Sequence, residues 1–167
     1  MAERVLNVLF LCTHNSARSV LAEALLNVLG AGHFRAYSAG SMPSGRVNPF
    51  AVELAKSIGY PADAVRSKAW DEFAAPGAPH MDIIITVCDD AAGEVCPVWP
   101  GNPTTAHWGY PDPSRAEGSD ADKRAAFEKV FIAIRRRIEL LISLPAEKRE
   151  RLALPRELKR IATDSAP

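Results

Sequence analysis

An excess of charge of either sign is absent. Lysine plus arginine number 20, and so do aspartate plus glutamate. No basic field is therefore available to hold nucleic acid or an anionic membrane. Long apolar runs are missing too: no stretch reaches the roughly 20 residues that span a bilayer. The amino end lacks the basic, apolar and small-residue succession of a secretory signal, so the expected location is the cytoplasm. Cysteine is scarce, and three is an odd number for a secreted disulfide scaffold. No two cysteines lie about two to four residues apart, as a structural zinc site requires, and His14 and His107 are unpaired by spacing. No metal site is expected. A Cys-x-x-Cys redox pair is also lacking. In a reducing compartment, three dispersed thiols point to catalytic or redox chemistry.

What is present suffices for one domain. A chain of 167 residues, 47% apolar, can bury a real core. The expected domain takes in residues 1–167, with a core at about 4–144 and a helical segment at 147–161.

Residues 5–29 carry the strongest pattern. Val5, Leu6, Val8, Leu9, Phe10 and Leu11 form a run too short for a good helix, which reads as a buried strand. Cys12-Thr13-His14-Asn15-Ser16-Ala17-Arg18-Ser19 follows, and then Val20, Leu21, Ala24, Leu25 and Val28 recur at helical spacing. A polar loop between a buried strand and a helix is where open α/β sheets bind ligands. The helix start adds free N–H groups and a partial positive charge. The amides of residues 13–18 can form an anion nest, with Arg18 clamping two oxygens of a tetrahedral oxyanion. Cys12 beside that nest is expected to be acidified and partly thiolate, with Ser19 donating a hydroxyl hydrogen bond to it. The plain alternative is an inert core cysteine beside a solvated arginine.

Farther along, residues 34–38 suit an edge strand, and Asn48-Pro49 a capped helix start with Ala51, Val52, Leu54, Ala55 and Ile58 buried. Residues 70–73 suit a helical turn. A second buried strand spans residues 82–87 and ends at Cys88, as the first ends at Cys12. In a parallel sheet both thiols then sit at the ligand-binding end. Cys96 follows after seven residues that include Gly93. Residues 104–108 suit a fourth strand. Pro111 and Pro113 fence Asp112 in a stiff loop, where a turn aspartate or a general acid would fit. Ser119 or Asp120 caps a helix to about residue 144. Arg135, Arg136 and Arg137 read as its solvated face, and two short helical pieces broken at Pro155 follow, before a frayed tail at 163–167.

The loop, as Cys-x5-Arg-Ser in its strand–loop–helix setting, resembles the low-molecular-weight protein tyrosine phosphatases. Asn15, Ser16, Ala22 and Glu23 resemble the arsenate reductases built on that fold; Ala17 stands where many members carry a second cysteine. Val87-Cys88-Asp89-Asp90-Ala91-Ala92, Val95-Cys96-Pro97 and His107-Trp108-Gly109 resemble the thioredoxin-linked members, although the Cys88–Cys96 spacing is one residue longer than in their familiar forms. The resemblance implies that Cys12 attacks arsenate, Cys88 then takes Cys12 into a disulfide with release of arsenite, and Cys96 transfers the disulfide to an external reductant. It implies Asp112 as general acid and Thr13, His14, Asn15, Ser16, Ala17 and Arg18 as the oxyanion cradle, which phosphate or sulfate can also occupy. It places Ser38, Gly40 and Arg46 near the rim, and gives Arg66 and Ser67 support roles. Some members bind potassium behind the loop through an Asn, a Glu, a Ser and an Asp; Asn15, Glu23 and Ser38 match three, but the Asp position falls at Ala69.

The expected fold is a three-layer α/β domain with a four-stranded, mostly parallel sheet and helices on both faces. The expected activity is arsenate reduction by a monomer without tightly bound cofactor, served by thioredoxin or by glutathione with glutaredoxin. A tyrosine phosphatase would leave Cys88 and Cys96 unexplained. A non-enzymatic redox or anion-sensing module would not need Asp112.

Overall fold

The computed structural model describes residues 5–88, 103–150 and 153–163. Four strands, β1 (Leu6–Leu11), β2 (Phe34–Ala39), β3 (Ile83–Thr86) and β4 (Thr104–His107), form one sheet in the order β2-β1-β3-β4. All three pairings are parallel. β2 is an edge strand, as its sparse apolar content predicts. The α/β fold with a four-stranded parallel sheet flanked by helices is the expected one.

Alternation along β1 sorts two cores. Leu6, Val8 and Phe10 face the larger one with α1 (Arg18–Leu29), α4 (Asp120–Ile142) and α5 (Leu154–Ala162). Leu9 and Leu11 face the smaller one with Ile84, Met81 and Phe73 of α3 (Asp71–Ala74). This double burial explains the continuous apolar runs of β1 and β3. α2 (Pro49–Ser57) starts as its sequence requires: Asn48 accepts the Phe50 amide and Pro49 occupies the first turn. A capping box of Ser119 and Asp122 starts α4. Among the described residues no helix is long and apolar enough to cross a membrane.

Two local expectations are corrected. Pro155 does not break the carboxyl-terminal helical segment; it lies in the first turn of α5, where its missing N–H costs no hydrogen bond. Residues 164–167 of the expected tail lie outside the described residues. Arg137 is no solvated residue either. Its guanidinium donates to Gly109 O at 3.2 Å and Ala162 O at 3.3 Å, and stacks 4.7 Å over the Tyr110 ring. It braces the segment after β4, whereas Arg135 stays outside and pairs with Glu139.

The register delivers the site. Leu11 pairs with both Ala39 and Thr86, and Thr86 pairs with His107. Cys12, Gly40, Cys88 and Trp108 therefore emerge together at the carboxyl ends of their strands. Trp108 is buried and donates its indole N–H to Leu158 O at 3.0 Å, which ties this end of the sheet to α5. His107 has a structural hydrogen bond, 2.8 Å between Nδ1 and Thr86 Oγ1.

Candidate active site

The loop after β1 turns its carbonyls outward. Thr13 O accepts from Met42 N, His14 O from Ser44 N and from Ser67 Oγ, and Ser16 O from Asn48 N. A trans peptide points its N–H opposite its C=O. The amides of His14, Asn15 and Ala17 therefore face the inside of the loop. Asn15 makes this curl: its φ is 48°, the one positive value at a described non-glycine residue, in a region asparagine tolerates. Its side chain then fixes the curl from below, donating to Ser19 Oγ at 2.8 Å and accepting the Lys68 amide at 2.9 Å. α1 begins at Arg18 after Ala17, with no side chain capping its first turn. Free N–H groups there and in the loop form one anion cradle.

The loop is also wedged from the β2 side. A Cβ on Gly40 would lie 2.4 Å from Thr13 O and 2.6 Å from Cys12 O, both backbone atoms that cannot swing aside. Gly40 is thus required by close approach, beyond the rim position that sequence suggests for it. Arg46 is exposed at that rim.

Arg18 spans the cradle to the loop after β4. One guanidinium nitrogen donates to Tyr110 O at 3.0 Å, another lies 3.6 Å from Asp112 Oδ2, and its buried Nε has no hydrogen-bond partner. An oxyanion in the cradle would supply one. Asp112 is extended at φ −82°, and its Oδ1 accepts both the amide and the hydroxyl of Ser114, at 2.9 and 2.6 Å. Burial pushes its carboxyl up, but the Ser114 bonds, with the charges of Arg18 and Arg115, outweigh that and leave it below its ordinary range. An acid role thus requires Arg18 to be claimed by a bound oxyanion, whose own charge then raises the carboxyl.

Cys12 and Cys88 are both buried and reduced. The Thr13 amide donates to Cys88 Sγ at 3.4 Å, and the Thr13 hydroxyl lies 3.7 Å from the same sulfur. The two thiols therefore share one pocket, as the matched strand ends suggest. Their closeness corrects the expected acidity. The hydrogen bond with Cys88, and then burial, push the Cys12 thiol far above its ordinary range; Arg18 and the Thr13 amide act in the other direction. The Cys88 bond and burial both favour the protonated thiol. Ser19 Oγ accepts the Asn15 amide at 2.8 Å, which anchors it under the loop and leaves its hydroxyl hydrogen to donate. Cys88→Ala should consequently move Cys12 alkylation by iodoacetamide to lower pH, because the largest cause of the raised thiol is gone. An unmoved pH–rate curve would show that the pair is not coupled.

Behind the cradle lies a buried polar cluster in which Glu23 and Ser38, matched by the resemblance, are joined by Lys68 and Tyr60, which it does not name. Glu23 Oε1 accepts from Ser38 Oγ at 2.9 Å and from Lys68 Nζ at 3.3 Å, while Oε2 accepts from Tyr60 Oη at 2.7 Å. Burial draws the Lys68 ammonium below its ordinary range against the pull of Glu23. Ser67 donates to His14 O of the loop, whereas the Arg66 side chain pairs with Glu72 at the surface at 2.6 Å. Cys96 lies outside the described residues. Among the described residues, no three of His, Cys, Asp and Glu are grouped to hold a metal ion.

Comparison with known proteins agrees with this geometry. The model of the low molecular weight phosphotyrosine protein phosphatase family matches residues 7–153. An arsenate reductase of Halalkalibacterium halodurans is 39% identical over 132 residues, 79% of this chain and 91% of that protein. The crystal structure of an arsenate reductase from Archaeoglobus fulgidus is 30% identical, with a TM-score of 0.63, over 82% of this chain and 99% of its own. A thioredoxin-dependent arsenate reductase of Corynebacterium glutamicum is 28% identical, with a TM-score of 0.55, over 84% of this chain and 65% of its own. The chain belongs to the arsenate reductases of the low molecular weight phosphotyrosine protein phosphatase family.

Proposed function

We propose that the protein reduces arsenate to arsenite through a Cys12–arsenic intermediate and a relay of Cys12, Cys88 and Cys96. The observation that carries this reading is the Cys88 sulfur, held 3.4 Å from the Thr13 amide of the nucleophile loop. A phosphatase needs no second thiol there. The cradle amides and Arg18 bind arsenate, a tetrahedral oxyanion. The Cys12 thiolate displaces one arsenate oxygen, which leaves as water with a proton from Asp112. The Cys88 thiolate attacks the Cys12 sulfur; the sulfur–arsenic pair of electrons stays on arsenic, As(V) becomes As(III), and arsenite departs. Cys96 then attacks Cys88, frees Cys12, and leaves a Cys88–Cys96 disulfide for a dithiol. The thioredoxin dependence of the Corynebacterium relative favours thioredoxin over glutathione with glutaredoxin. The enzyme works in the cytoplasm, as a monomer.

The test is arsenate-dependent NADPH oxidation with thioredoxin and thioredoxin reductase, beside glutathione with glutaredoxin. Absence of turnover with either donor, alongside rapid aryl phosphate hydrolysis, would move the phosphatase reading to first place. Asp112→Asn separates the steps. It should lower aryl phosphate turnover by about 10²–10⁴-fold and remove the alkaline limb of its pH profile. Arsenate reduction should fall less, because arsenic–oxygen bonds exchange readily. A pH profile identical to wild type would exclude Asp112 as the acid.

A further inference from the structure

We propose that Lys68 is the resident cation behind the anion loop: its ammonium fills an oxygen cage, so that the loop is held without a potassium ion, and removing the ammonium opens the cage to one. The three ammonium hydrogens meet three oxygens from three segments: Glu23 Oε1 and Ser38 Oγ at 3.3 Å, and Arg66 O at 3.0 Å. A carboxylate, a hydroxyl and a carbonyl form a hard oxygen set suited to a monovalent cation. An ammonium has no further donor to give, so the cage is complete. Both charges are nearly sealed, with Lys68 and Glu23 side chains 7% and 5% exposed. A potassium ion added beside Lys68 would put two cations on one buried carboxylate, which the desolvation cost disfavours. The potassium site implied by the family resemblance therefore does not fit this chain, and Ala69 adds no oxygen side chain.

The position of Lys68 links the cage to the reacting end. Its amide donates to Asn15 Oδ1, and Asn15 in turn bonds Ser19. Its carbonyl accepts from Gly40 N at 2.9 Å, and Gly40 abuts the Cys12 and Thr13 carbonyls. Lys68 is thus a positioning residue. A cavity of about 660 Å³, bordered by Tyr60, Arg66 and Glu72, reaches Glu23 and Lys68 and offers an ion a way in once the ammonium is gone.

The experiment uses thermal unfolding of the whole protein in potassium, sodium or choline chloride at equal ionic strength. No arsenate is present, so the outcome is independent of the reaction proposed above. Wild type should unfold within about 1 °C in all three salts. Lys68→Met in choline should unfold roughly 5–15 °C lower, because a buried carboxylate loses its counter-charge. Potassium or ammonium chloride should recover at least half of that loss, and sodium less. Phosphate binding to the loop, measured by calorimetry, should weaken about tenfold in choline and return with potassium. A potassium-selective rise in wild type would overturn the proposal, and this arm stands even if the variant does not fold. Equal stability of variant and wild type in choline, or a loss that no cation repairs, would overturn it too.

Discussion

Cys12→Ser should abolish arsenate reduction and aryl phosphate hydrolysis together, each by at least about 10⁴-fold. In the proposed mechanism both reactions begin with attack by the Cys12 sulfur on an anion in the same cradle, and a serine hydroxyl is a far weaker nucleophile than a thiolate. The Asp112 carboxylate is bound to Ser114 and lies beside Arg18. The cradle itself should survive. Its walls are backbone amides held by outward carbonyl bonds to Met42, Ser44 and Asn48, and none of these passes through the Cys12 side chain. Phosphate affinity of the variant should therefore stay within about threefold of wild type, measured by calorimetry, while kcat vanishes. Wild-type arsenate turnover in this variant would remove Cys12 as nucleophile. Loss of phosphate binding would show that the thiol holds the loop rather than reacting.

Local periodicity made much of this architecture legible. β1 and β3 are buried on both faces and read as unbroken apolar runs; α1, α2 and α4 carry their stripes and, for α2 and α4, their caps. The loop was legible because strand, polar turn and helix follow in one stretch of chain. The pairing of Cys12 with Cys88 was legible for a different reason: both follow strands, and parallel register sets Leu11 against Thr86. What stayed hidden depends on distance across the chain. The cage of Lys68 draws on α1, β2 and the carbonyl of Arg66, and a backbone oxygen leaves no mark in sequence. The raised Cys12 thiol follows from a partner 76 positions away, which a positive loop alone does not suggest. Arg137 belongs to a run of three arginines, yet only its place on α4 aims it at the segment after β4. The resemblance puts Gly40 near the rim, but the close approach of the Cys12 and Thr13 carbonyls that demands glycine comes from the parallel packing of two distant segments.

The order of the two remaining thiols carries the second large effect. Cys96→Ser should complete one turnover and stop, with Cys12 and Cys88 joined as a disulfide. Cys88→Ser should release no stoichiometric arsenite unless an outside thiol substitutes. The asymmetry has a structural origin. Cys88 stands two residues past the end of β3, its sulfur is held against Thr13, and the Val87 amide donates to Leu11 O at 2.9 Å. Cys88 is therefore placed for the Cys12 sulfur before any motion of the chain. Cys96 follows after seven intervening residues, past Gly93. A disulfide between Cys88 and Cys96 needs their Cα atoms within about 7 Å of each other. In the proposed relay the Cys88–Cys96 disulfide is the one an external thiolate attacks, and thiol exchange requires access to it. Single-turnover reduction, quenched by alkylation and mapped by peptide mass spectrometry, reads the pairing directly. The Cys96→Ser protein should yield about one arsenite per chain and the Cys12–Cys88 peptide pair; multiple turnover with thioredoxin should drop by at least about 100-fold. Wild-type turnover of Cys96→Ser with glutathione and glutaredoxin would replace the three-thiol relay by a glutathione route. Wild-type turnover of both variants with every donor would leave neither thiol a part in the chemistry.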